Sequence, residues 1–129
     1  MDTQPAVQRP RNLFEKYHAH VYFDENSVEQ ARALCMQAAE RFGVAMGRVH
    51  EKLVGPHPHW SCQLAFDARQ FDGLLPWLDA NRGKLNILVH GVTGRNLEDH
   101  TTNAAWLGTP SQLDLSRFPL KQIPISIRA

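Results

Sequence analysis

The chain lacks most of the features that would settle its class at a glance. Cysteine is nearly absent. Cys35 and Cys62 are the only two in 129 residues, and they form no CxxC pair. That removes a disulfide scaffold and leaves two reduced thiols among apolar neighbours as the expectation. Neither sign of charge dominates: 14 Lys and Arg stand against 13 Asp and Glu, so there is no basic field for nucleic acid. No apolar run reaches the roughly 18 residues that mark a membrane span, and residues 1–16 hold no apolar leader segment. A cytoplasmic protein with one domain is expected. HExxH, GxGxxG and the Walker loop are missing, and Ser61 has no nucleophile-elbow glycines.

What is present is histidine, with seven copies. Two lie in the run Tyr17, His18, Ala19, His20, Val21, Tyr22, Phe23. Its aromatic and β-branched content predicts a strand. Side chains alternate along a strand, so His18, His20 and Tyr22 share one face, and Ala19, Val21 and Phe23 share the other. The apolar set can sit under a helix. The two imidazoles start roughly 7 Å apart at the backbone and can lean toward one ion.

The rest of the chain is ordered around this strand. Residues 1–16 read as a flexible arm, 17–110 as the domain, and 111–129 as an extended tail packed on the domain or a partner. Asn26 or Ser27 can cap a helix, with Glu29 or Gln30 three residues on. Ala31, Leu34, Cys35, Ala38, Ala39 and Phe42 then repeat at helical spacing, and Gly43 ends that helix. Residues 46–54 read as an edge strand and 60–66 as a third strand. Between them Gly55, Pro56, His57, Pro58 and His59 form a rigid hairpin tip. Phe71, Leu74, Leu75, Trp77 and Leu78 mark a second helix that Pro76 should kink. Residues 85–90 read as a fourth strand, and 101–107 as a short helix.

The order β-α-β-β-α-β predicts an α+β fold, the ferredoxin-like sandwich. It has a four-stranded antiparallel sheet, strand order 4-1-3-2, with two helices on one face. The face carrying His18, His20, Tyr22 and Leu88 is then left open. A homodimer of two such sheets is the economical way to cover it.

Strands one and three are taken as parallel, with two and four opposed. The start of strand one, the hairpin tip and the end of strand four then meet at one edge. This gathers His18, His20, His57, His59 and His90, lets His100 return, and leaves His50 outside. Converging neutral imidazoles point first to a metal site. The reading is a divalent ion held by His18, His20 and His90, with an open position for water or substrate. His57, held between Pro56 and Pro58, is a further ligand or a general acid/base beside the ion. The bland alternative has these imidazoles capping loops and bonding carbonyls.

Five motifs carry a family resemblance. They are the run of residues 17–23; Val54, Gly55, Pro56, His57, Pro58; Asn81, Arg82, Gly83; Leu88, Val89, His90; and Asp99, His100, Thr101 through Ala105, Trp106, Leu107, Gly108. Over residues 17–115 the chain resembles the DOPA 4,5-dioxygenase family. The resemblance implies extradiol cleavage of a catechol, DOPA or a related one, by O₂ at a non-haem Fe(II) centre. Zinc or nickel could occupy the same donors in purified protein. The family's histidine motifs are matched at His18, His20, His57, His90 and His100. A usual extradiol site has two His and one carboxylate. Either Asp24, Glu51 or Asp99 supplies that carboxylate, or the site is three-His. His57 is the first choice to take the catechol proton and His100 the second. Arg82 or Arg48 could meet a substrate carboxylate. Two other functions compete: a non-catalytic metal- or small-ligand-binding homodimer, and a metal-free monooxygenase on the same scaffold.

Overall fold

The computed structural model describes residues 8–118. Expectations for residues 1–7 and 119–129 lie outside that range. The elements are β1 (Lys16–Phe23), α1 (Val28–Phe42), β2 (Ala45–His50), β3 (Trp60–Asp67), α2 (Ala68–Asn81), β4 (Asn86–Gly91), α3 (Asn96–Asp99) and β5 (Ala104–Leu107), then a 3-10 turn at Leu115–Arg117. They form one sheet in the order β2-β3-β1-β4-β5. The βαββαβ core is present, but a fifth strand and a third short helix extend it. Among the described residues the expected four strands and two helices are corrected to five and three.

One face of the sheet is apolar and lies under α1 and α2. Ala19, Val21, Phe23, Cys62, Leu64, Ile87 and Val89 meet Ala31, Leu34, Cys35, Ala38, Phe71, Leu74 and Leu78 there, all buried. Cys35 and Cys62 are both free, buried thiols. Gly43 ends α1 in the left-handed conformation, and its N–H donates to the Ala39 carbonyl. The capping box lies elsewhere than expected. Ser27 makes no side-chain cap to α1. Instead Asp67 accepts from the N–H groups of Arg69 and Gln70, while Gln70 bonds back to Asp67. Pro76 lies inside an unbroken α2, at an exposed position where water can serve the carbonyl its ring leaves without a donor.

Strand directions differ from the sequence reading. β1 is antiparallel to both β3 and β4. The crossover through α1 leaves β2 parallel to β1, and β3 inserts between them, opposed to both. The start of β1 and the end of β4 do share an edge, with His18 opposite His90. The β2–β3 connection therefore starts from the far end. The helix expected over 101–107 is also corrected. The helical turn is α3, which ends at Asp99 before that stretch begins, and Ala104–Leu107 is β5, pairing Leu88 with Trp106. A four-residue apolar run carries too little periodicity to separate the two.

Residues 8–15 lie against the sheet. The Trp106 N–H donates to the Gln8 carbonyl at 2.9 Å, and Arg9 donates to the carbonyls of Trp106 and Gly108. Phe14 lies over Gly91, where a β-carbon would sit 2.5 Å from the ring. Gly91→Ala should therefore destabilise the fold by about 1–3 kcal/mol, the usual cost of overpacking. Chemical denaturation checks this, and a change below about 0.5 kcal/mol would show the Phe14 contact to be slack.

Candidate metal centre

The open face carries a row of side chains set by strand register. His18 and His90 are cross-strand partners, as are His20 and Leu88, and Tyr22 and Asn86. His20 and His90 are thus diagonal neighbours on the same face. Their Nε2 atoms stand 3.0 Å apart. His18 completes the group, with ring centroids 5.8 Å from His20 and 5.4 Å from His90.

His57 arrives by a different route. Residues 51–59 fold back from the far end of β2 across the open face. They place the His57 ring 4.1 Å from that of His20. The Tyr22 hydroxyl lies 2.7 Å from His57 Nδ1. His59, two residues on, stays outside the cluster, against Tyr22 and within 2.9 Å of the Ser111 hydroxyl.

His100 follows α3, and its ring sits 4.3 Å from that of His90. Asp99 fixes this loop. Its buried carboxylate accepts from the Thr93 N–H and hydroxyl and from the Asn103 side chain. Phe118 packs against the outer side of His100, at 5.0 Å. Leu113 joins Tyr22, Leu88 and Trp106 in a small apolar cluster on the same face. The face that needed cover is thus partly covered from within the chain.

Two overlapping groups bring donor atoms within 4.8 Å of one another: His18, His20 and His90, and His20, His57 and His100. Only His20 belongs to both. No carboxylate joins either group among the described residues. Asp24 is bound to Ser27 and the Asn26 N–H, Asp99 is committed to its loop, and Glu51 is exposed. Arg82 pairs with Asp79 and bonds the Leu85 carbonyl, and Arg48 lies exposed on edge strand β2.

The donor chemistry fits a divalent ion. Assigned from the hydrogen-bond network, the Nδ1–H of His90 donates to the Gly91 carbonyl, and that of His100 donates to the Asn96 carbonyl. Each is left with an Nε2 lone pair. Two imidazole nitrogens about 2.1 Å from one ion and at right angles stand about 3 Å from each other. The 3.0 Å between His20 and His90 matches that spacing. The imidazoles are also held neutral. Burial, then the neighbouring His57, His90, His18 and His100, push His20 well below its ordinary value. Burial lowers His57 to about 4, with help from His100 and His18. Burial likewise lowers His90 to about 4, against the raising effect of its Gly91 bond. His18 is lowered by burial and by His100.

The model of the Dopa 4,5-dioxygenase family matches residues 17–117. The chain belongs to the Dopa 4,5-dioxygenase family. A DOPA 4,5-dioxygenase of Amanita muscaria is 31% identical, over 97% of this chain and 61% of its own length. An uncharacterized 21.2 kDa protein of Botryotinia fuckeliana is 33% identical, over 88% of this chain and 67% of its own. The chain thus spans less than two thirds of the Amanita relative. Among solved structures, a protein of Nostoc punctiforme described as a putative dioxygenase superposes with a TM-score of 0.78 at 41% identity. That match covers 81% of this chain and 90% of the other. Within this Dopa 4,5-dioxygenase family member, sequence reasoning placed Tyr22 on the right face but missed its bond to His57. Its i+2 spacing from His20 was the available signal. Phe118, in the tail, gave none.

Proposed function

We propose that this chain is an Fe(II)-dependent extradiol dioxygenase that opens the ring of DOPA or a related catechol. One observation carries the reading: four buried or half-buried imidazoles surround His20 on one face, with nitrogens as close as 3.0 Å and no carboxylate among them. His18, His20 and His90 would hold the iron, which when bound supplies the redox chemistry that lets O₂ attack a catechol. The side of the cluster facing His57 and His100 is left for substrate. Those two imidazoles handle its protons. The His100 Nε2 lone pair is placed to accept one from a catechol hydroxyl. Leu88, Trp106, Leu113 and Phe118 shield the face and keep water from it. Both atoms of O₂ end in the product, one in an aldehyde and one in a carboxylate.

Anaerobic loading with Fe(II), followed by catechol and O₂, should give a yellow ring-opened semialdehyde with one O₂ consumed per catechol. Tight zinc binding with no turnover would instead favour a non-catalytic metal-binding protein. Turnover that survives a chelator would remove the metal from the mechanism. A homodimer and a cytoplasmic location belong to the same proposal. β2 is an edge strand of the sheet, and light scattering should report twice the chain mass. Among the described residues, no helix is long and apolar enough to cross a membrane.

A further inference from the structure

His57 belongs to one of the two candidate donor groups, so its role is open on distance alone. The hydroxyl of Tyr22 decides it. Tyr22 is 4% exposed, and a phenol keeps its proton at neutral pH. That proton needs an acceptor, because a buried hydroxyl hydrogen without one is costly. Among the described residues, His57 Nδ1 at 2.7 Å is the one acceptor within reach. Were His57 to donate from Nδ1 instead, the tyrosine hydrogen would be orphaned. Tyr22 therefore donates. A neutral imidazole that accepts at Nδ1 carries its own hydrogen on Nε2. In that tautomer neither nitrogen has a free lone pair. The pattern is opposite to His90 and His100, whose Nδ1–H groups are spent on backbone carbonyls.

We propose that Tyr22 is a positioning residue that locks His57 as an Nε2–H donor, keeping it out of the metal's ligand set and aiming a hydrogen bond at an oxygen of the bound catechol or O₂. The five imidazoles then divide into two kinds. His18, His20, His90 and His100 can offer lone pairs. His57 offers a hydrogen. The inference about what His57 meets rests on the dioxygenase reading; the tautomer itself does not.

Two measurements test it. Long-range ¹H–¹⁵N NMR of protein labelled at histidine nitrogens, metal-free and zinc-loaded at neutral pH, separates the tautomers. In the wild type His57 should be Nε2–H in both states, and in Tyr22→Phe it should move to a mixture. A wild-type His57 protonated at Nδ1, or shifted by zinc as a ligand, overturns the proposal. In steady-state kinetics, Tyr22→Phe should lower kcat by about 10–100-fold, less than the roughly 100–10,000-fold of losing a positioned proton donor outright because His57 remains, with KM changed less than about threefold. His57→Gln, which keeps an N–H donor, should retain more activity than His57→Leu. Equal loss in the last two, or full kcat in Tyr22→Phe, overturns the donor role. If the wild type turns over no catechol, the dioxygenase reading fails, while the NMR result still decides the tautomer.

Discussion

His20→Ala should leave a folded protein that no longer retains a divalent ion. His20 is the one residue shared by both candidate donor groups, so its loss breaks whichever of them binds. Its Nε2 lies 3.0 Å from that of His90, and among the described residues neither donor group keeps three members without it. Losing a mere outer-shell partner costs metal affinity about 10–100-fold, and loss of a ligand should exceed about 100-fold. The fold should survive, because the helix-facing side of β1 (Ala19, Val21 and Phe23) is untouched. Metal content after loading with Fe(II) or zinc and desalting is the readout. His59→Ala serves as the control, since His59 lies outside both groups and should retain the ion. The same assay then separates the groups. His18→Ala should lose the ion if β1 and β4 supply the ligands, and His100→Ala should keep it. Retention of a full equivalent by His20→Ala would end the case for a metal centre on this face.

How much of this was legible in the sequence follows from how local each feature is. Alternation along residues 17–23 placed His18, His20 and Tyr22 on one face, and the structure has them there, because strand geometry leaves no other choice once the strand forms. The α1 stop at Gly43 was legible for the same local reason. Strand direction was not local. It depends on the connections, since a crossover through α1 leaves β2 parallel to β1 and the hairpin then opposes β3 to both, and taking β1 and β3 as parallel put the hairpin at the wrong end. His57 nonetheless reaches the cluster, because residues 51–59 fold back over the sheet, a path that no periodicity records. β5 was misread for want of length, and its partner is β4, eighteen residues earlier in the Leu88–Trp106 pairing. A carboxylate ligand was left open in the sequence. Asp99 was a fair candidate by position, yet its carboxylate is spent on Thr93 and Asn103, which a sequence cannot show.

Acid should weaken the metal-free protein well before its carboxylates titrate. Four imidazoles of the centre have depressed values: His57 and His90 lie at about 4, His20 well below its ordinary 6.5, and His18 below it. Burial is the first cause in each. In the unfolded chain the same groups return to about 6.5 and bind protons first as pH falls. Stability is therefore complete above pH 6.5 and declines as pH drops from there toward 4, because the unfolded state takes up protons that the native state refuses. The well-buried His20, His57 and His90 each contribute up to about 1.4 kcal/mol per pH unit within that window, and the half-exposed His18 less, because solvent screens it. Melting temperature should stay nearly level from pH 7.5 to about 6.5 and fall from there to pH 5, and His90→Gln, which removes one of these groups, should flatten the slope. A bound ion needs neutral imidazoles, so the depressed values also let the loaded protein hold its ion below pH 6.5, where an ordinary histidine site would begin to release it. A metal-free melting temperature that stays level from pH 7.5 to pH 5 would mean that these rings are solvated rather than packed on one another.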